Sequence, residues 1–176
     1  DIAKINDAAG TDTFVSCYDD TFYILQAAIK YADLSEGAFD PSIEPLVKLW
    51  GIGTDTAHIP TRAQIDTAKK LVDYTKIQIN EADKSVYLPV KGMGLDLGGI
   101  AKRYAADLIV QILKQHASTK AIIDLGGNIY AYGAKSGDAF AENNSTTPWK
   151  IGIKNPFDST GAPIIAVSLV NKTVVT

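Results

Sequence analysis

The chain has 176 residues, 46% of them hydrophobic, with 17 Lys plus Arg against 20 Asp plus Glu and a net charge of −3, so it is long enough to bury a core. That balance excludes a basic field of the kind that holds nucleic acid or an anionic membrane surface, and no run approaches the roughly 18 continuous apolar residues of a membrane span. Cys17 is the single cysteine, which excludes an internal disulfide and a cysteine-cluster metal site and leaves no compartment signal in cysteine usage.

In chain order, the first clear element is TFYILQAAIKYADL, Thr21 to Leu34. Phe22, Leu25, Ala28, Ile29 and Ala32 recur at spacings of three and four, which predicts a helix. Ser35-Glu36-Gly37 ends it, with Gly37 as the left-handed cap. GAFDP, Gly37 to Pro41, follows. Asp and Pro are ordinary turn formers, so a capping turn is the plain reading of Asp40. The functional reading is a rigid ligand-facing loop in which Ala38 and Phe39 line an apolar slot. Further on, Leu46, Leu49 and Trp50 in PLVKLWGIG are expected to pack in the core. Thr61 to Asp73 predicts a second helix, with Thr61 as N-cap and Ile65, Ala68, Leu71 and Val72 as a buried stripe. KIQIN and SVYLPV alternate as strands around an EADK turn, a hairpin.

GMGLDLGGIAKRYAADLI, Gly92 to Ile109, then predicts a short strand to Leu97, a Gly98-Gly99 corner and a helix from about Ile100 to Gln115. Ile100, Tyr104, Leu108 and Ile112 fall on one line of that helix, with Ala101, Ala105, Ile109 and Leu113 beside it. AIIDLGGNIYAYG reads as strand, Gly-Gly turn, strand. The polar stretch from Ser136 to Pro148 reads as a surface loop, and WKIGIKNP, IIAVSLVN and TVVT are strand-like. The order predicts an α+β fold of mixed, largely antiparallel sheets with packed helices, and no low-complexity linker divides it.

DLGG occurs twice, as Asp96 to Gly99 and as Asp124 to Gly127. The plain reading is that a Gly pair lets a strand turn sharply. The functional one is that Gly removes side chains where backbone must approach a ligand phosphate, beside a helix N-terminus that favours an anion. The first copy opens a strong helix and suits that task. Lys102 in the first turn opposes the helix dipole unless an anion is near, although a solvated Lys is the cheaper explanation. Neither a P-loop nor a GxGxxG fingerprint is present. His58 and His116 are isolated, and no Ser-His-Asp or HExxH arrangement can be drawn. Pattern alone points to a phosphate-bearing ligand.

Taken together, AKIN, GAFDPSIEPLVKLWGIG, GLDLGGIAKRYAAD, AIIDLGGNIYAYG and WKIGIKNP, in this order and spacing, resemble the FAD:protein FMN transferases, the ApbE family. The combination is highly specific and spans essentially the whole chain. The resemblance implies an enzyme that binds FAD and Mg²⁺ and moves FMN onto a Ser or Thr hydroxyl of a target flavoprotein, releasing AMP. It implies that Ala38, Phe39 and Asp40 form a loop contacting FAD, that Asp96 and Lys102 contact FAD, and that the backbone carbonyl of Gly99 is a Mg²⁺ ligand. No catalytic residue is assigned within the chain. Arg103 departs from the family's usual Gly, as in KGYAAD; an extra cation there either helps hold phosphate or obstructs it. The resemblance further implies that residues 1–176 are a partial flavin-transferase domain. Upstream flavin contacts and a downstream Asp and Thr of the metal site are expected outside it. Family members are commonly exported and membrane-anchored as lipoproteins, so an extracytoplasmic location is expected. An FAD pyrophosphatase and a non-catalytic flavin-binding module are the rival readings.

Overall fold

The computed structural model describes residues 1–136, 146–158 and 160–175. Most of the stretch read as a surface loop, and the last residue of TVVT, lie outside the described residues. The chain divides into two compact units, Asp1–Ala101 and Lys102–Thr176, and the border falls inside a helix.

The first unit contains α1 (Ile2–Asp7), β1 (Val15–Ser16), α2 (Asp19–Leu34), α3 (Glu44–Trp50), α4 (Arg62–Lys69), a 3₁₀ turn (Tyr74–Lys76), β2 (Gln78–Asn80), β3 (Ser85–Tyr87) and the opening turn of α5 (Gly98–Gln115). β3 is the central strand, antiparallel to β1 and β2, with Val86 opposite both Val15 and Ile79. The hairpin read around EADK is present, with Asn80 facing Ser85. Phe22, Leu25 and Ala28 of α2 pack with Ile5, Val86, Leu88, Met93, Leu95 and Leu97 into the core. α2 ends in a Schellman motif, in which Gly37 N donates to Ala32 O (2.9 Å) and Glu36 N to Asp33 O (3.1 Å). Glu36 (φ 52°) takes the first left-handed position and Gly37 (φ 79°) the next. The reversal therefore starts one residue earlier than the Gly signal suggests.

α4 begins as expected, with a capping box between Thr61 and Gln64, but it stops at Lys69 and not at Asp73. Its exit tightens into i→i−3 bonds, from Lys70 N to Thr67 O (3.3 Å) and from Leu71 N to Ala68 O (3.0 Å). The amides of Asp73 and Tyr74, which would have continued a helix, donate instead to Ser42 Oγ (2.8 Å) and Asp40 Oδ2 (3.2 Å). Its apolar stripe is only half-buried.

The expected strand up to Leu97 is absent apart from one parallel bridge between Gly94 and Ile43. Gly98 and Gly99 are the first two residues of α5 and not a corner before it. Ile100 and Ala101 pack against the first unit's core. In the second unit, Ala106 and Val110 are buried with Ile123 and Tyr132, and Ile109 and Leu113 pack beside them. Of the expected stripe, Ile112 is 54% exposed.

The second unit holds the rest of α5, then β4 (Ala121–Leu125), β5 (Asn128–Tyr132), β6 (Trp149–Lys154), β7 (Pro163–Leu169) and β8 (Lys172–Val174). β5 lies between β4 and β8, and β6 pairs with β7, all antiparallel. Leu125 faces Asn128, so the β4–β5 turn has two residues, Gly126 (φ 67°) and Gly127 (φ 90°). Positive φ at both is the requirement of a type I′ hairpin turn. The mixed α+β reading holds. Among the described residues, no helix is long and apolar enough to cross a membrane.

Candidate functional site

The loop from Gly37 to Ser42 is tied down at almost every residue. Ala38 N donates to Ser35 O (3.0 Å) and Phe39 N to Ser35 Oγ (3.0 Å). Asp40 Oδ1 accepts from Ser42 N (2.7 Å) and Ser42 Oγ (2.6 Å), while Oδ2 accepts from Tyr74 N. Pro41 O accepts from Asp96 N (2.9 Å), which joins this loop to the first DLGG segment. Asn6, the last residue of AKIN, clamps the same segment one residue earlier, at Leu95. Its amide accepts from Leu95 N (2.7 Å) and donates to Leu95 O (3.0 Å).

Asp96 Oδ1 accepts from Gly98 N (2.7 Å), so the carboxylate covers one of the free amides at the start of α5. Neither Gly98 nor Gly99 has a positive φ. Their lack of a side chain answers to space and not to a turn. A Cβ at Gly98 would lie 3.0 Å from Asp96 Oδ1, and one at Gly99 would lie 3.2 Å from Phe39 Cε2.

These residues border one cavity of about 680 Å³. Ala38, Phe39 and Asp40 line it from the loop, and Asp96, Gly98 and Gly99 from the entry to α5. Ile43, Leu46, Val47 and Ile52 form an apolar wall from the N-cap of α3, α3 itself and the turn after it, Lys69 comes from the end of α4 and Val72 from the segment that follows. Five of the six residues singled out from the sequence, Ala38, Phe39, Asp40, Asp96 and Gly99, thus share one cavity. Lys102 does not line it; it is exposed on α5 and belongs to the second unit.

Sequence reasoning missed part of the lining. Leu46 was expected in the core and forms cavity wall; Leu49 is half-buried and Trp50 remains 36% exposed. Gly51 (φ 62°) ends α3 in a left-handed cap, and a Cβ there would meet the Thr56 carbonyl at 3.0 Å. That reversal brings Ile52 to the cavity. WGIG was the available signal for it. Lys69 gave none, because a Lys in a last helical turn reads as a dipole complement.

Lys69 is the single cation of the lining and makes no ion pair among the described residues. Both Asp40 oxygens accept internal hydrogen bonds, whereas Asp96 Oδ2 accepts none among the described residues. Near the loop, burial raises the Tyr74 phenol above its ordinary pKa, helped by its hydrogen bond to Asp33 and by the charges of Asp33, Asp40 and Asp73. It therefore stays a protonated donor. Among the described residues, no three His, Cys, Asp or Glu side chains cluster as a metal site. Mg²⁺ is commonly held by one or two carboxylates together with water and substrate phosphates. The free oxygen of Asp96 fits that mode, and so does the carbonyl of Gly99, since a helical carbonyl keeps a second lone pair.

The second DLGG copy is built differently. Asp124 Oδ1 accepts from Gly127 N (2.9 Å) inside the hairpin turn, and Asp124 does not line the cavity. Arg103 is engaged within the second unit. It pairs with Asp107 (2.9 Å), donates to Thr173 Oγ1 and lies over the Tyr130 ring at 4.8 Å. His58 and His116 are exposed, and His58 Nδ1 lies 3.0 Å from Thr56 O.

Fold and site together define an α+β protein with a cavity at the N-terminus of a helix that begins with two glycines. The model of the ApbE family matches residues 1–176, and the chain belongs to that family. The FAD:protein FMN transferase of Treponema pallidum is 38% identical over 181 residues, which cover 99% of this chain and 49% of that protein. One from Klebsiella pneumoniae is 35% identical over 175 residues, covering 99% and 51%. The crystal structure of the ApbE protein from Thermotoga maritima superposes with a TM-score of 0.82 at 29% identity, covering 98% of this chain and 52% of that one. The chain spans about half the length of these relatives.

Proposed function

We propose that the protein containing this chain is an FAD:protein FMN transferase, and that this chain supplies part of its FAD site. The observation that carries the reading is the cavity itself. Two segments separated by more than fifty residues bring Ala38, Phe39, Asp40, Asp96 and Gly99 to one apolar-walled pocket with bare backbone at its helical edge. That combination suits a ligand with a flat ring system and a pyrophosphate. An apolar wall takes the ring, and unsubstituted helical backbone lets a phosphate oxygen approach the Gly99 amide, the first-turn N–H of α5 that has no acceptor among the described residues.

In the proposed reaction an acceptor Ser or Thr oxygen attacks the FMN phosphorus of FAD. A phosphoester bond to the acceptor forms, the pyrophosphate bond breaks, the hydroxyl proton passes to solvent and AMP departs with the bridging oxygen. Positioning and charge neutralisation supply most of the catalysis in such phosphoryl transfers. Asp96 and the Gly99 carbonyl would hold Mg²⁺, which when bound neutralises phosphate charge. In this reading Phe39 and the α3 wall orient the ring, Lys69 faces the anionic part, and the Asp40 loop keeps Ala38 and Phe39 in place. Lys102 is proposed as a further FAD contact on the strength of the family resemblance. A partial domain within a longer, extracytoplasmic and membrane-anchored enzyme belongs to the same proposal and rests on that resemblance alone.

The test incubates the full-length protein with FAD, Mg²⁺ and an acceptor flavoprotein. Acceptor that gains the mass of FMN, with AMP released, is the expected result. Free FMN plus AMP would make the protein a pyrophosphatase, and unchanged FAD would make it a binding module.

A further inference from the structure

The Asp40 carboxylate lines the cavity yet has little left to offer a ligand. Its two oxygens take three internal donors, Ser42 N at 2.7 Å, Ser42 Oγ at 2.6 Å and Tyr74 N at 3.2 Å. Ser42 is 0% exposed. Its hydroxyl gives its one proton to Asp40 and accepts from Asp73 N at 2.8 Å. Between the two, Pro41 is also buried and its carbonyl accepts from Asp96 N at 2.9 Å. Three consecutive residues of the loop after α2 therefore bind two other stretches of chain, and all three stretches reach the cavity. These are the loop after α2 with Ala38 and Phe39, the exit of α4 with Val72, and the entry to α5 with Asp96 and Gly98.

We propose that Ser42 is a positioning residue for the cavity, acting through Asp40, and that Asp40 serves the site by holding its walls in register. A buried hydroxyl with its donor and an acceptor lone pair both committed is a costly group to strand, which makes the arrangement stiff. Without Oγ, the Asp73 amide loses its acceptor and Asp40 loses its shortest bond. The Asp73–Tyr74 turn then separates from the Phe39 loop, and the cavity loosens on two sides. The inference rests on the reading of this cavity as the FAD site, so its test includes a measurement that needs no flavin.

Ser42→Ala is made in the full-length protein, with Ser85→Ala as control. Ser85 is the other buried polar side chain (1% exposed) and likewise donates to an aspartate, Asp83, at 2.6 Å. It does not line the cavity. Hydrogen exchange is followed over residues 38–43, 72–75 and 95–99, together with FAD affinity. Ser42→Ala is expected to speed exchange in its own loop and also at 72–75, and to weaken FAD binding about tenfold, the equivalent of one hydrogen bond to a charged group. Ser85→Ala is expected to lower the melting temperature without moving either readout. Exchange that rises only in the Ser42 loop, or an FAD affinity equal to wild type, would overturn the proposal. If Ser42→Ala does not fold, Asp40→Asn takes its place. It keeps an oxygen for Ser42 but turns an amide group toward the Tyr74 N–H, so faster exchange at Tyr74 supports the coupling and unchanged exchange refutes it. A wild-type protein that binds no FAD would sink the function proposed above, while the exchange data still decide whether Ser42 couples the segments.

Discussion

Gly99→Ala in the full-length protein separates stability from site geometry, because the two effects have opposite signs. Gly99 is the second residue of α5 and has no positive φ, so Ala is compatible with its backbone and gains up to about 1 kcal/mol of helix propensity. The added Cβ would lie 3.2 Å from Phe39 Cε2 and 4.0 Å from Cδ2. Carbon atoms prefer about 3.5–4.0 Å, so the ring must give way by roughly half an ångström. The backbone of Phe39 cannot follow easily. Its amide is held by Ser35 Oγ at 3.0 Å, and Asp40 beside it accepts three hydrogen bonds. The displacement falls on the side-chain torsions, at about 0.5–1.5 kcal/mol for an off-rotamer ring.

Gain and loss nearly cancel, so the melting temperature should move by no more than about 2–4 °C in either direction. Function should not cancel. Phe39 is cavity wall, and a misplacement of this order lowers a positioned reaction by about tenfold or more. Scanning calorimetry reads the first effect, and FAD titration with acceptor labelling reads the second. A raised melting temperature with unchanged FAD affinity and unchanged transfer would show that Gly99 is not needed for the cavity and would refute the steric argument.

Asp96→Asn retains an oxygen for the Gly98 amide but loses the charge, and should lower FMN transfer about tenfold or more with the fold intact; Asp124→Asn, in the hairpin turn, should do far less, and labelling rates in the reverse order would put the site at the wrong glycine pair. Lys102→Ala should weaken FAD binding without lowering the melting temperature, as read by flavin titration beside a thermal melt. Thr61→Ala removes the acceptor for Gln64 N and should cost about 1 kcal/mol in denaturant unfolding, with FAD affinity less affected than stability. Asp73 titrates below the ordinary aspartate range, first because the Thr75 hydroxyl donates to it and further because of Lys76. A lowered native pKa stabilises the fold above the unfolded value and fades as pH falls through the native one, so Thr75→Val should bring the Asp73 titration seen by NMR up toward its usual position near 3.9.

The elements legible in the sequence were those whose signal is local. Phe22, Leu25, Ala28 and Ala32 repeat with the helical period, and α2 follows them. KIQIN and SVY alternate about a turn, and β2 and β3 pair there. Thr61 and Gln64 spell a capping box three residues apart. GAFDP and the first DLGG each carried a ligand-facing reading beside the plain one of an ordinary turn, and that both segments serve one ligand was legible only through the family's motifs. The end of α4 was not legible. Its would-be continuation is captured by Ser42 and Asp40, whose distance of 31 and 34 residues lies outside any periodic window. Nor was Lys69 in the cavity, or the exposure of Trp50, since both depend on where α3 and α4 turn. The two DLGG copies draw the line most clearly. After Asp124 the strands on either side are in register, and the glycines adopt the left-handed pair that a two-residue hairpin demands. After Asp96 the same four letters enter a helix, and the glycines are required by what stands opposite them, an aspartate oxygen and the edge of Phe39. Backbone preference is a property of neighbours in sequence, whereas the space that a missing side chain leaves is a property of neighbours across the fold.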